Sequence, residues 1–319
     1  MKLGEEIRYL GNADVEACAL SLAEVERAVE QMFTAKAAGD ATMKPKLALH
    51  GEGQALFLAS PGVMGTPAYA GIKWVGGGDH DARGLPHIAG TIVLSDAATG
   101  MPVAVMDARW VTAVRTAAIS AVAAKRMARA DSQSIAFIAC GLQARAHLAA
   151  LKPHFPLKRV LAYSRRRSTA ETFAEEVRAE GFEAEVLEDP QAAVSGADIV
   201  VTTTPVEPRT DPFLDAGWLS PGSFTSMVDL GFSWISETMP ALDRVTTDDI
   251  SQAGSEKLTY PEPYDGEVAD LVAGSLQGRQ SDEERTALVF AGLGLADVAV
   301  AAALYERAEE KDIGRILPA

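Results

Sequence analysis

The run Ile138-Ala139-Cys140-Gly141-Leu142-Gln143-Ala144 joins an apolar segment to a helix-forming one through a glycine. It follows the G-x-G-x-x-[GA] dinucleotide fingerprint with Ala139 in the first glycine's place. In that pattern Gly141 stands where the backbone must approach a pyrophosphate, and Ala144 where helix and strand pack closely. A helix beginning there would offer free N–H groups and the positive end of its dipole to phosphates. A tight strand-to-helix turn without a ligand fits the same residues. The next strand-like run ends at Tyr163-Ser164-Arg165-Arg166-Arg167. NAD enzymes usually carry an acid there for the ribose hydroxyls, and here Ser164 takes that place. Guanidinium groups suit a 2′-phosphate, so an NAD(P)H site with NADPH slightly favoured is expected; a solvated basic turn is the alternative. A different chemistry attaches to Lys73, set among apolar residues in Gly71-Ile72-Lys73-Trp74-Val75. Burial disfavours the charged form of a lysine and lowers its pKa, which suits acid–base work. A strand lysine facing solvent is the other reading.

These residues need elements to hold them. Ser21-Leu22-Ala23-Glu24 has the form of a capping box. Leu22, Val25, Val29, Met32 and Phe33 then recur at helical spacing, which predicts a helix over 21–38 ended by Gly39. Short runs at 46–50, 55–59, 69–75 and 90–95, separated by Gly and Pro, read as strands of a mixed or antiparallel sheet. The alanine-rich segment 112–129 reads as a helix. From Ser134 the pattern alternates: strands at 135–138, 160–163, 184–187, 199–203 and 226–230, with helices between, among them 168–180. Such alternation argues for a doubly wound parallel sheet. The tail, about 281–310, is expected to be helical.

The 319 residues are enough for two domains, and 48% apolar with 23% charged residues is a globular balance. The 29 basic residues against 44 acidic ones leave a net charge of −15, which argues against nucleic acid or an anionic membrane as a partner. No apolar stretch has the length of a membrane span, and MKLGEEIRYL lacks the apolar core of a signal peptide. Cys18 and Cys140 are far apart and outside any metal-type spacing, so a reducing cytoplasm is expected. The histidines, His50, His80, His87, His147 and His154, are scattered; no metal site is expected, and His147 reads as structural.

Three stretches beyond the glycine turn, Gly71-Ile72-Lys73-Trp74-Val75, Gly84-Leu85-Pro86 and Val114-Arg115-Thr116-Ala117-Ala118, join with Cys140-Gly141-Leu142-Gln143-Ala144-Arg145 and Gly292-Leu293-Gly294-Leu295-Ala296-Asp297. Taken in order across nearly the whole chain, they resemble the ornithine cyclodeaminase and mu-crystallin family. The resemblance implies an α/β protein that forms a homodimer. Residues 1–128 with 298–319 would be an α+β substrate-binding and dimerisation domain. Residues 129–297 would be an NAD(P)-binding Rossmann domain with a doubly wound parallel sheet. Members include ornithine and lysine cyclodeaminases, alanine dehydrogenase and reductases of Δ1-pyrroline-2-carboxylate, iminosuccinate and other ketimines; mu-crystallin-like members also bind a hormone.

By the same resemblance, Lys73 contacts the substrate carboxylate and assists proton movement, and Arg115 binds that carboxylate through its guanidinium fork. Lys46 stands where the family usually has a second carboxylate-binding arginine, keeping the charge without the fork. His87 follows Gly-Leu-Pro where relatives often carry threonine, and either touches substrate or cofactor or is structural. The cofactor-binding set is expected to be Thr116, Cys140, Gly141, Leu142, Gln143, Ala144, Ser164, Arg165, Arg166, Thr203, Thr204 and Leu230. Cyclodeaminases place a catalytic aspartate after the 226–230 strand; here Gly231 falls at that place and Asp229 two residues earlier, so Asp229 is the remaining candidate for that catalytic role. The departure favours an NAD(P)H-dependent reductase of a small 2-imino acid, run toward the L-amino acid. Lys46, His80, Arg83 and His87 near the mouth would suit a second carboxylate, as in iminosuccinate. Two alternatives stay open: an ornithine cyclodeaminase that recycles NAD+, and an NADP-dependent small-ligand binding protein, against which Lys73 and Arg115 weigh.

Overall fold

The computed structural model describes residues 2–51, 55–77, 84, 88–205, 211–255 and 263–319. The chain divides into two units, residues 1–115 with 293–319, and residues 116–292.

The first unit opens with β1 (Glu6–Leu10) and the short helix α1 (Asn12–Cys18), followed by α2 (Leu22–Ala37). The capping box forms: the Ser21 hydroxyl accepts from the Glu24 N–H while the Glu24 carboxylate accepts from the Ser21 N–H. Strands β2 (Ala41–Met43), β3 (Leu47–His50), β4 (Leu56–Met64), β5 (Tyr69–Gly77), β6 (Ile88–Asp96) and β7 (Pro102–Asp107) follow, then α3 (Arg109–Met127), whose residues from Thr116 onward belong to the second unit. The chain returns at its end as α9 (Gly294–Lys311) and β16 (Arg315–Pro318). The sheet order is β16-β1-β7-β6-β5-β4-β2, with β3 also on β4. It is mixed: β1 runs parallel to β7 and every other pairing is antiparallel. Helix α9 lies against β4 and β5. That approach needs glycine on both sides. A Cβ on Gly294 would stand 2.8 Å from the Pro61 carbonyl oxygen, and one on Gly62 would stand 3.2 Å from the Leu295 backbone. Side chains alternate across β5, so Lys73 and Val75 are buried while Ile72 and Trp74 are exposed. Leu47, Leu49 and Val63 share that outer face, and Trp74 stacks on Phe57 at 5.7 Å between ring centroids.

The second unit holds β8 (Ser134–Ile138), α4 (Leu142–Leu151), β9 (Arg159–Tyr163), α5 (Arg167–Ala179), β10 (Glu183–Val186), α6 (Pro190–Ser195), β11 (Ile199–Thr202), β12 (Phe224–Met227), β13 (Arg244–Thr247), α7 (Ile250–Ser255), β14 (Gly266–Glu267), α8 (Val268–Ala273) and β15 (Thr286–Val289). All pairings are parallel, in the order β10-β9-β8-β11-β12-β15-β13-β14. The chain moves outward from β8 through β9 to β10 and then crosses back to β11. This makes the β8/β11 edge the topological switch point, where open α/β sheets bind ligands. The central strands β8, β11, β12 and β15 are buried on both faces, as in sheets that helices cover on both sides.

The structure corrects two element boundaries. The expected strand 226–230 ends at Met227, and residues 228–230 form a turn with Leu230 at φ +60°. The expected helical tail from 281 contains the strand β15, and helix begins only at Gly294. Thr286-Ala287-Leu288-Val289 is buried throughout, and a short apolar run buried on all sides carries no periodicity to separate strand from helix.

Candidate active site

Three charged side chains meet inside the first unit. Lys73 comes from β5, Arg115 from α3 and Asp297 from the first turn of α9. All three are buried, Asp297 at 1% exposure. A single oxygen joins them: Asp297 Oδ1 accepts from Lys73 Nζ at 2.9 Å and from Arg115 Nε at 2.9 Å. Lys73 Nζ also reaches Thr112 Oγ1 at 3.4 Å. The terminal nitrogens Nη1 and Nη2 of Arg115 make no hydrogen bond to a described residue. Such a cluster is costly to assemble, and deleting one member strands a buried charge at a cost of about 3–5 kcal/mol. Burial first, and then the Arg115 charge, pull Lys73 down from the ordinary 10.5 to about 8; Asp297 pulls it back up, and Lys46 lowers it further. Lys46 lies half-buried just before β3. The cluster thus combines a guanidinium edge for a carboxylate with an ammonium that gives up its proton near neutral pH.

In the second unit the glycine turn is built as the fingerprint requires. Ala139 adopts φ +73°, the left-handed region that a glycine in its place would enter freely. Gly141 is the N-cap of α4, and a Cβ built on it meets no heavy atom within 4 Å. The space in front of the helix N-terminus is therefore open to a ligand, and the turn fits a dinucleotide pyrophosphate. Neighbouring strand ends brace the turn. The Ala139 N–H donates to the Tyr163 carbonyl at 2.8 Å, the Cys140 N–H to Ser164 Oγ at 2.9 Å, and Thr203 Oγ1 to the Ala139 carbonyl at 2.7 Å. Cys140 is fully buried, its thiol pushed up to about 11 by burial, so the side chain packs and does not react. Ala144 is buried under the turn and Leu142 is exposed beside it. Arg165 and Arg166 are exposed, and neither guanidinium makes a hydrogen bond or ion pair to a described residue, whereas the Arg167 side chain is taken by Glu171 and Glu188.

Asp229 lies in the turn after β12 with 1% exposure. Its Oδ1 accepts from Thr202 Oγ1 at 2.8 Å, and its Oδ2 from Thr204 Oγ1 at 2.7 Å and from Ser233 Oγ. Burial holds its carboxyl above the usual carboxylate range, and the hydrogen bonds from Ser233, Thr204 and Thr202 offset only part of that. A carboxylate so enclosed braces the turn. A second buried network ties α3, α4 and β12 together: His147 Nδ1–H donates to the Gln143 carbonyl at 2.7 Å, His147 Nε2 meets Ser120 Oγ at 2.9 Å, and Ser120 Oγ meets Ser226 Oγ at 2.8 Å. Burial pulls His147 down to about 4, so the ring is neutral and structural.

The family model for ornithine cyclodeaminase/mu-crystallin proteins matches residues 8–312. The chain belongs to the ornithine cyclodeaminase/mu-crystallin family. It is 34% identical over 323 residues to an alanine dehydrogenase of Archaeoglobus fulgidus, covering 97% of each chain. Among solved structures it is similar to an archaeal alanine dehydrogenase dimer with bound NAD (TM-score 0.87, 32% identity, 98% of this chain and 99% of that one). It is also similar to a Thermococcus litoralis Δ1-pyrroline-2-carboxylate reductase in complex with NADH and L-proline (TM-score 0.87, 28% identity, 97% and 99%).

Of the residues expected from this family, the structure brings Lys73 and Arg115 together, with Lys46 close enough to act on the lysine's charge. It likewise gathers Ala139, Cys140, Gly141, Ser164 and Thr203 at the switch point. Thr204 is spent on Asp229, and Thr116 is buried in α3 directly after Arg115. His80, Arg83 and His87 lie outside the described residues. Sequence reasoning missed the role of Asp297. One signal was present: an aspartate inside the apolar run Leu293–Leu304, which only a buried partner makes tolerable.

Proposed function

We propose that this protein is an NAD(P)H-dependent reductase of a small 2-imino acid, yielding the L-amino acid. The observation that carries the reading is the Lys73–Asp297–Arg115 cluster, with a guanidinium edge that no described residue engages and a buried lysine poised near 8. Arg115 Nη1 and Nη2 take the substrate carboxylate as a fork, and Lys46 adds charge to hold it. A bound nicotinamide dinucleotide supplies the hydride. Lys73, as the ammonium, gives its proton to the imine nitrogen while the adjacent carbon is reduced, and the neutral amine regains a proton from solvent. Gly141 and the α4 N-terminus receive the pyrophosphate. Arg165 and Arg166 support acceptance of a 2′-phosphate, and hence of NADPH. Alanine dehydrogenase and Δ1-pyrroline-2-carboxylate reductase among the relatives support a substrate with one carboxylate beside the reacting carbon. The surplus of cations over Asp297 leaves room for iminosuccinate. The enclosure of Asp229 by three hydroxyls weighs against a cyclodeaminase that relies on that carboxylate. We further infer a homodimer closed over the exposed apolar face of Leu47, Leu49, Ile72 and Trp74. Both cysteines are free and buried, as suits a reducing cytoplasm.

The test is cofactor oxidation by purified protein with NADH and NADPH in turn. The panel holds oxaloacetate plus ammonia, pyruvate plus ammonia, and Δ1-pyrroline-2-carboxylate; ornithine with NAD+ is assayed separately for proline. Turnover of one imine that is lost in Lys73→Ala supports the reductase. Proline from ornithine without imine turnover would replace it with the cyclodeaminase. Silence throughout would favour a binding protein. In Arg165→Ala/Arg166→Ala, the Kd for NADPH is expected to rise about tenfold or more while that for NADH holds, because a phosphate loses its charge-assisted bonds.

A further inference from the structure

We propose that Asp297 is a positioning residue for this site. Its single Oδ1 atom sets the spacing between the Lys73 ammonium and the Arg115 guanidinium, and decides which edge of each is left for the substrate. The inference rests on the reductase reading and deepens it. Because the arginine is held through Nε at 2.9 Å, its Nη1–Nη2 edge remains the fork that can bind a carboxylate in two parallel bonds. Because the lysine is held at 2.9 Å by the same atom and at 3.4 Å by Thr112, its ammonium retains a third proton for a substrate beside that fork. The helix end contributes as well: Asp297 lies in the first turn of α9, where unpaired N–H groups favour a carboxylate. Among the described residues, the charged groups acting on Lys73 are Arg115 from α3, Asp297 from α9 and Lys46 from the segment before β3. Two are cations and burial acts with them, so Asp297 is the counter-charge that keeps the ammonium protonated. Arginine does not give up its proton, so losing that counter-charge falls on the lysine.

The experiment compares wild type, Asp297→Asn and Asp297→Glu as full-length proteins. Imine reduction is measured across pH, and Lys73 is followed by the ε-carbon resonance in 13C-lysine-labelled protein, assigned with Lys73→Arg. In Asp297→Asn the Lys73 titration and the alkaline limb of kcat/KM are both expected to move down by about one pH unit or more, as when a neighbouring opposite charge is lost. Activity at pH 8 would fall about fivefold or more and recover toward lower pH. Asp297→Glu keeps the charge and displaces the oxygen; its profile is expected to hold its position while kcat falls. An ion pair that only fastens α9 to the sheet would lower activity equally at every pH, and that outcome, or an unmoved lysine titration, overturns the proposal. If Asp297→Asn does not fold, a glutamate variant with wild-type kcat and KM overturns it. If wild type reduces none of the imines, the reductase reading fails, while the lysine titration still decides the role of Asp297.

Discussion

Alanine at Gly141 separates the demands of folding from those of a ligand. The backbone there has φ −85° and ψ −154°, an extended conformation that alanine adopts without strain. The added Cβ meets no heavy atom within 4 Å. The folded state therefore loses nothing, and the unfolded chain becomes less free, so stability is expected to hold or to rise by up to about 1 kcal/mol. The cofactor's cost is of the opposite sign. The methyl group projects into the open space before α4, where on the proposed reading a pyrophosphate would come within hydrogen-bond distance of the backbone N–H groups. A hydrogen bond to a charged group contributes about 1.5–3 kcal/mol, so losing one raises Kd by about tenfold or more. The assay is titration of NADH fluorescence with wild type and Gly141→Ala, alongside thermal unfolding of both without cofactor. A Kd within twofold of wild type would refute the placement of the pyrophosphate at this turn. A clear drop in Tm without cofactor would refute the open space in front of it.

Lys73→Met is expected to abolish imine turnover and to change the pH dependence of stability. Between about 8 and 10.5 the unfolded chain keeps a proton that folded Lys73 releases, so wild-type stability rises with pH across this window relative to the variant. The span corresponds to about 3 kcal/mol, and a flat difference in denaturation free energy would contradict the burial of Lys73. For His147, pulled down from 6.5 to about 4, the unfolded chain gains the proton first as pH falls. Wild-type stability relative to His147→Gln is therefore expected to shrink from pH 6.5 toward 4, and chemical denaturation at several pH values checks it. Asp229→Asn places an amide against three hydroxyl donors and is expected to cost about 1–3 kcal/mol of stability. At saturating cofactor its kcat should stay within a few-fold; a collapse of kcat with Tm unchanged would return Asp229 to a catalytic role.

Much of the architecture can be read from local pattern. Ser21 and Glu24 announce a helix through a reciprocal bond three residues long, and it forms as read. The alternation of short apolar runs with helical stretches after Ser134 describes a parallel sheet, because strands covered on both faces need no polar side. The Cys140–Ala144 turn carries its own geometry, since the left-handed bend and the helix start lie within a few residues. Lys73 is legible for a related reason: a strand alternates sides, and the apolar neighbours Ile72 and Trp74 show only that one face is unlike the other.

What local pattern did not settle was decided by burial and by distant partners. The run Thr286–Val289 is a strand because parallel neighbours β12 and β13 pair with it on both sides, and nothing in its own four residues distinguishes that from a buried helical turn. Asp229 is a candidate catalyst only through the family resemblance, and no local pattern announces that Thr202, Thr204 and Ser233 converge on its carboxylate. Asp297 is the opposite case, a residue in a closing helix that becomes the centre of the site. It meets Lys73 across 224 positions of sequence and Arg115 across 182. Periodicity reports which side of an element faces inward; which charge it finds there depends on glycines at positions 62 and 294 letting α9 come down onto the sheet. Sequence alone thus determined most of the elements and the residue types available for chemistry. The tertiary structure decided which of them share an oxygen atom, because electrostatic coupling falls with distance in space and takes no account of distance along the chain.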